Sequence, residues 1–101
     1  MAQYALYTQF VAHPGKGKEL VDILKKANDI VSTADGCKLY IINTHATDED
    51  CIWVTELWDS EESHAISLTM DGCKELVTEA SVLLSLPPKQ IVLKALAGKG
   101  V

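Results

Sequence analysis

Two runs in this chain are apolar without alternation, and that limits its fold more than any other feature. Leu39-Tyr40-Ile41-Ile42 and Ile91-Val92-Leu93 place apolar side chains on both faces of any strand they form. A sheet with one wet face alternates apolar with polar residues, so here both faces need cover. The rest of the chain supplies cover for only one. Tyr4-Ala5-Leu6-Tyr7-Thr8-Gln9-Phe10-Val11 is aromatic and β-branched enough for a strand, and His13-Pro14-Gly15 ends it. Leu20, Ile23, Leu24, Ala27, Ile30 and Val31 then recur at helical spacing, which predicts an amphipathic helix over 17–31.

Asp35-Gly36 signals a turn into a strand at 37–43. The polar stretch 45–50 reads as a hairpin loop, and Cys51 to Trp58 as the return strand. Asp59 or Ser60 caps a short helix over about 60–68, with Glu62 completing a capping box on Asp59. Asp71-Gly72 interrupts it, and Cys73, Leu76, Val77, Ala80 and Leu84 mark one face of a further helical piece over about 73–84. Pro87-Pro88 stops that piece before a last strand at 90–96. Strand, helix, strand, strand, helix, strand is the ferredoxin-like βαββαβ order. Right-handed crossovers set all helical segments on one face of a four-stranded antiparallel sheet. The expectation is therefore an α+β fold in one domain over 1–101, with a tail at about 97–101 flexible by composition. A second copy is the simplest cover for the other face, giving a homodimer through the open sheet face, a dimeric α/β barrel.

Composition excludes several function classes. The net charge is −5, the pI is near 5.0, and the nine basic residues are all scattered lysines. Nucleic acid is not an expected partner, because phosphate binding needs a concentrated basic face. No run of 18 uncharged apolar residues suggests a membrane span, and the first residues lack a secretory pattern. Cys37, Cys51 and Cys73 are odd in number and form no C-x-x-C, so they read as small apolar residues of a reducing cytoplasm. His13, His45 and His64 stand apart from one another, and no metal-ligand or nucleotide-binding spacing occurs. No metal and no cofactor is expected.

Trp53-Val54-Thr55-Glu56-Leu57-Trp58-Asp59-Ser60-Glu61-Glu62-Ser63-His64, followed by Ser67-Leu68, resembles the antibiotic biosynthesis monooxygenase family. The strand carrying E-x-W, the acidic helix start and a His six residues after the Trp bear the likeness. Phe10-Val11-Ala12 with Pro14-Gly15-Lys16, Asp35-Gly36-Cys37 and Gly98-Lys99-Gly100 extend it over essentially the whole chain. The resemblance implies a cofactor-independent monooxygenase of quinol or anthrone type, taking molecular oxygen and a small aromatic or polyketide-like substrate. Such chemistry needs an apolar pocket with a few hydrogen-bonding groups. A non-redox isomerase or lyase of the same fold, or a dimeric stress module binding a small apolar ligand, are the other readings.

Period-2 alternation puts Ile52, Val54, Glu56 and Trp58 on one side of their strand. His64, about a turn and a half into the next helix, can fold back over that strand's end to meet Trp58. In a member from actinorhodin biosynthesis, the Trp and a Tyr at these two places contribute to the site. The resemblance thus implies that Trp58 is a wall and N–H donor, and that His64 is an acid/base or substrate hydrogen bonder. Thr8 stands near the place where relatives carry a substrate-binding Asn. Glu56, Tyr40 and Asn43 complete the substrate-binding candidates, the last two on a strand whose facing the pattern leaves open. Haem-degrading members carry a Trp and an iron-ligating His about where Ser67 and Val77 stand, so haem degradation is not expected.

Overall fold

β-branched and aromatic residues set the first strand, β1 (Gln3–Val11), before Pro14-Gly15 turns the chain. The computed structural model describes residues 2–101. It continues with α1 (Gly17–Val31), β2 (Cys37–His45), β3 (Asp48–Trp58), α2 (Glu61–Ser67), α3 (Cys73–Ser81) and β4 (Lys89–Ala95). All pairings are antiparallel, in the order β2-β3-β1-β4. This is the ferredoxin-like α+β arrangement, with the second crossover divided between α2 and α3. Among the described residues, no helix is long and apolar enough to cross a membrane.

The register positions the site. Tyr4 pairs with Trp58; in the next row, Leu6 pairs with Glu56 and Glu56 with Tyr40. One row further come Gln90, Thr8, Val54 and Ile42. These rows face the helices. Leu20 and Leu24 of α1 and Ala80 of α3 close over Ile52 and Val54, while Val31 and Cys73 close over Trp58. Each large side chain buried there contributes about 1.5–3 kcal/mol.

Among the described residues, no helix or further strand covers the opposite sheet face. Tyr7, Leu39, Ile41, Ile91 and Leu93 alternate onto it and stand open at 38–45% exposure. Asn43 belongs to that face, where its amide donates to the Trp53 carbonyl and to Thr55 Oγ1 at 3.0 and 3.1 Å.

Glycine opens α1 for a steric reason. The Asp50 carboxylate accepts the Gly17 N–H at 2.9 Å and the Gly15 N–H at 3.1 Å, satisfying donors that a helix start leaves free. A Cβ at Gly17 would collide with the Glu49 carbonyl and that carboxylate. Gly17→Ala is expected to lower stability by about 1–3 kcal/mol. A denaturant titration should show an earlier midpoint with unchanged slope; an unmoved midpoint would mean that the start of β3 yields freely.

Several boundaries differ from the sequence pattern. The polar stretch 45–50 is mostly strand, leaving Ala46-Thr47 as the turn, because its polar side chains are satisfied locally. Thr47 N–H donates to His45 Nδ1 and Asp50 N–H to Asp48 Oδ1. The cap of α2 is Ser60, whose Oγ accepts from the Ser63 N–H at 3.1 Å. Asp59 and Glu62 form no capping box, since Asp59 is tied to Gly36 through its backbone N–H. α3 stops at Ser81 rather than at Leu84. Beyond it, Leu84 bridges to Ala12 and the Ser85 N–H donates to the Val11 carbonyl.

Candidate functional site

Small side chains make the cavity. Ala27 of α1, Ala80 and Ser81 of α3 and Ser67 of α2 stand where bulkier residues would fill the space between helices and sheet. The space left is about 310 Å³, at the small end of the usual range for small-molecule sites. Its walls are mostly aliphatic, from Ile23 and Leu24 on one side to Leu76, Val77 and Leu84 on the other. Phe10 and Val54 lie along the sheet. Polar groups enter from the two sheet rows already described: Glu56 and Tyr40 in one, Thr8 and Gln90 in the next.

Glu56 and His64 form the chemically distinctive part. Glu56 is buried, and its Oε1 accepts the Trp58 indole N–H at 3.1 Å. His64 Nε2 lies 3.8 Å from the same oxygen, too far for a hydrogen bond and close enough for charge to be felt. The Ser60 cap seats α2, and the His64 ring is then held between two aromatics. Tyr4 and Trp58 each lie 5.5 Å away between ring centroids, Tyr4 tilted and Trp58 edge-on.

Burial shifts the two groups towards each other. Desolvation drives the Glu56 carboxyl above the ordinary carboxylate range, and the Trp58 hydrogen bond opposes it. Desolvation lowers His64, with the Glu61 carboxylate pulling the other way. The imidazole is thereby kept neutral near neutral pH, ready to accept a proton, beside a carboxyl able to hold one. Tyr40 is pushed well up by burial and then by Glu56, Cys37 and Cys73, so its phenol stays protonated and can only donate or accept as O–H.

Of the sequence candidates, Glu56, His64, Thr8 and Tyr40 come together around the cavity. Trp58 does not line it. The indole is fully buried behind Glu56 and His64, so its packing holds the pair and its N–H goes to the carboxylate instead of the cavity. Asn43 points to the opposite sheet face, because the Tyr40–Glu56 register puts every second β2 residue away from the helices. Tyr4, Ser67, Cys73 and Gln90 are not among the site residues expected from the sequence. Pairing β1 against β3 places Tyr4 beside Trp58, a signal available once register is known; Gln90 carries no local signal at all. Among the described residues, no group of three or more His, Cys, Asp or Glu side chains gathers at a metal-binding distance.

A ferredoxin-like sheet with an apolar cavity, floored by a buried carboxylate beside a half-buried imidazole, defines an α+β domain with room for a small molecule. The chain belongs to the antibiotic biosynthesis monooxygenase family, whose sequence profile matches residues 4–79. A structure from Chloroflexus aurantiacus J-10-fl, provisionally named as an antibiotic biosynthesis monooxygenase, is 30% identical with a TM-score of 0.78, covering 95% of this chain and 97% of that one. One from Caulobacter crescentus CB15 with the same provisional name is 18% identical, with a TM-score of 0.87 and coverage of 95% and 92%. A conserved protein from Methanosarcina mazei Go1 is 18% identical, with a TM-score of 0.86 and 94% of each chain covered. The last two show the fold alone. No curated protein gave a significant match.

Proposed function

We propose that the cavity oxidises a small aromatic or polyketide-like substrate of anthrone or quinol type with molecular oxygen, and without a cofactor. The observation that carries this reading is the pairing of buried Glu56 with half-buried His64 at the floor of an apolar cavity. Glu56 takes a proton from an acidic C–H of the substrate, and His64 receives it on the side nearer solvent. The carbanion left behind is electron-rich enough to pass one electron to O₂, giving a substrate radical and superoxide. Their recombination forms a C–O bond, and the resulting peroxide takes up a proton. Loss of water with the second hydrogen of that carbon leaves a carbonyl, so R₂CH₂ and O₂ become R₂C=O and H₂O. Aliphatic walls keep water from these intermediates.

Oxygen uptake by chelator-treated protein with a panel of anthrones and quinols tests the reading. Uptake that survives chelation supports it, and silence with every substrate sinks it. The same proton-transfer pair would serve a non-redox isomerase, which turnover under strict anaerobiosis would favour.

The second part of the proposal is that the open sheet face packs on another copy of the chain. Five large apolar side chains alternating onto one face exceed what isolated surface residues explain. Sedimentation at micromolar concentration should give a dimer mass, and Ile41→Glu a monomer. A wild-type monomer would refute this.

A further inference from the structure

The imidazole at the cavity floor must carry a proton for part of each turnover, and a carboxylate outside the cavity is placed to help it. Glu56 takes a proton from the substrate carbon, which keeps the electron pair, and His64 takes that proton on. After oxygen has added, the same proton returns to the peroxide, so none is gained or lost over the cycle. Between those two events His64 is an imidazolium, and burial works against that form. Glu56 Oε1 stands 3.8 Å from Nε2, but it already accepts the Trp58 indole N–H at 3.1 Å.

The short helix α2 supplies a second carboxylate. Glu61 is its first residue and His64 its fourth. The two therefore lie one turn apart on the same helix face, about 5–6 Å between Cβ atoms. The Ser60 cap fixes that turn, its Oγ accepting the Ser63 N–H at 3.1 Å. The His64 ring rests between Tyr4 and Trp58. The Glu61 charge is felt on the Tyr4 side of this stack as well as at the imidazole, raising both groups. Glu61 is itself exposed and does not line the cavity. Glu62, two residues from His64, lies on another side of the helix. Of the remaining strands, β4 brings Lys94 beside Tyr4 in register, and from α3 Cys73 packs on Trp58. Among these groups Glu56 and Glu61 are the carboxylates.

Resting on the oxygenase reading above, we infer that Glu61 is a positioning residue of the reaction: one helical turn before His64 and outside the cavity, it holds the proton on the imidazole between its removal from the substrate and its return to the peroxide. Glu61 touches no reacting atom and acts through His64. The two carboxylates that flank the imidazole divide the work by their surroundings. Buried Glu56 is basic enough to take the proton from carbon. Solvated Glu61 favours the imidazolium without the desolvation that a second buried charge would cost.

The His64 titration, followed by NMR of the ring protons with His13 and His45 as internal references, tests this beside oxygen uptake. Glu61→Gln is expected to lower the His64 midpoint, leaving about threefold less imidazolium at a fixed pH. The kcat for anthrone-dependent uptake should fall by about the same factor, with KM unchanged. Glu61→Asp keeps the charge and should restore both. Glu62→Gln removes an equal charge from the same helix start and should leave both as in the wild type, which separates a weakened helix from a lost charge. Both side chains are exposed, so the fold survives either change. A His64 midpoint unmoved by Glu61→Gln overturns the role of Glu61, while wild-type oxygen uptake keeps the oxygenase reading. A lowered midpoint with undiminished kcat also overturns it, because the charge then reaches His64 without serving the reaction. Wild-type protein that consumes no oxygen with any anthrone or quinol overturns the oxygenase reading, and this inference with it.

Discussion

Glu56→Gln is expected to slow anthrone-dependent oxygen uptake by about 10²–10⁴-fold with little change in KM. The substitution keeps the shape of the side chain and an oxygen for the Trp58 indole, so the cavity and its packing persist. Only the basic form is lost. In the wild type, desolvation holds the Glu56 carboxyl above the ordinary carboxylate range, so the rate should rise with pH along a limb displaced upward from that range. His64 is held below the usual imidazole range by burial, so it is neutral near neutral pH and free to receive the proton. His64→Ala should therefore cost less than Glu56→Gln, because the carboxylate still takes the first proton and only its onward transfer slows. Equal rates in wild type and Glu56→Gln would remove Glu56 from the chemistry.

The same shift carries a stability consequence with a definite sign. A carboxyl raised in the folded state binds its proton more tightly there than in the unfolded chain. Its contribution is fully present below the unfolded value and is lost as pH rises through the folded one. Above that window the wild type holds a buried carboxylate at a cost, and glutamine does not. Glu56→Gln should thus melt higher than the wild type at neutral pH, and the difference should vanish in acid. A site residue that lowers stability while raising rate is the pattern expected where function, rather than packing, places a group.

Periodicity exposed most of the fold, since α1 and the helix-facing set of β3 follow from spacing alone. The two-sided apolar strands also marked a face that no helix covers. What local sequence could not show was register. Tyr40 and Asn43 lie three residues apart on one strand, so they face opposite sides, and only the pairing of Tyr40 with Glu56 decides which enters the cavity. Trp58 was legible as buried, but its position behind the carboxylate depends on where α2 seats His64. The loop expected at 45–50 failed for a different reason. Polarity there marks exposure, and an exposed hairpin end is polar whether or not it is extended.

Trp58 separates packing from positioning, and two substitutions read them independently. Trp58→Ala should cost about 3–5 kcal/mol, because it empties the space between Val31, Cys73 and the sheet. Against the roughly 5–15 kcal/mol typical of a domain, that is about a fifth of the total or more. Thermal unfolding should show it as the largest fall of any single substitution in this core. Trp58→Phe keeps most of the ring and removes the indole N–H. The hydrogen bond that holds the Glu56 carboxyl down is then gone, leaving burial unopposed. The rising limb of the pH–rate profile should move up by about one unit, with kcat recovered at higher pH and KM little changed. A lost hydrogen bond to a carboxylate predicts that recovery, whereas loosened packing predicts a lower plateau at every pH. If Trp58→Phe leaves the limb in place, the indole serves the core alone, and what sets the carboxylate must be sought in Tyr40 and His64 on its cavity side.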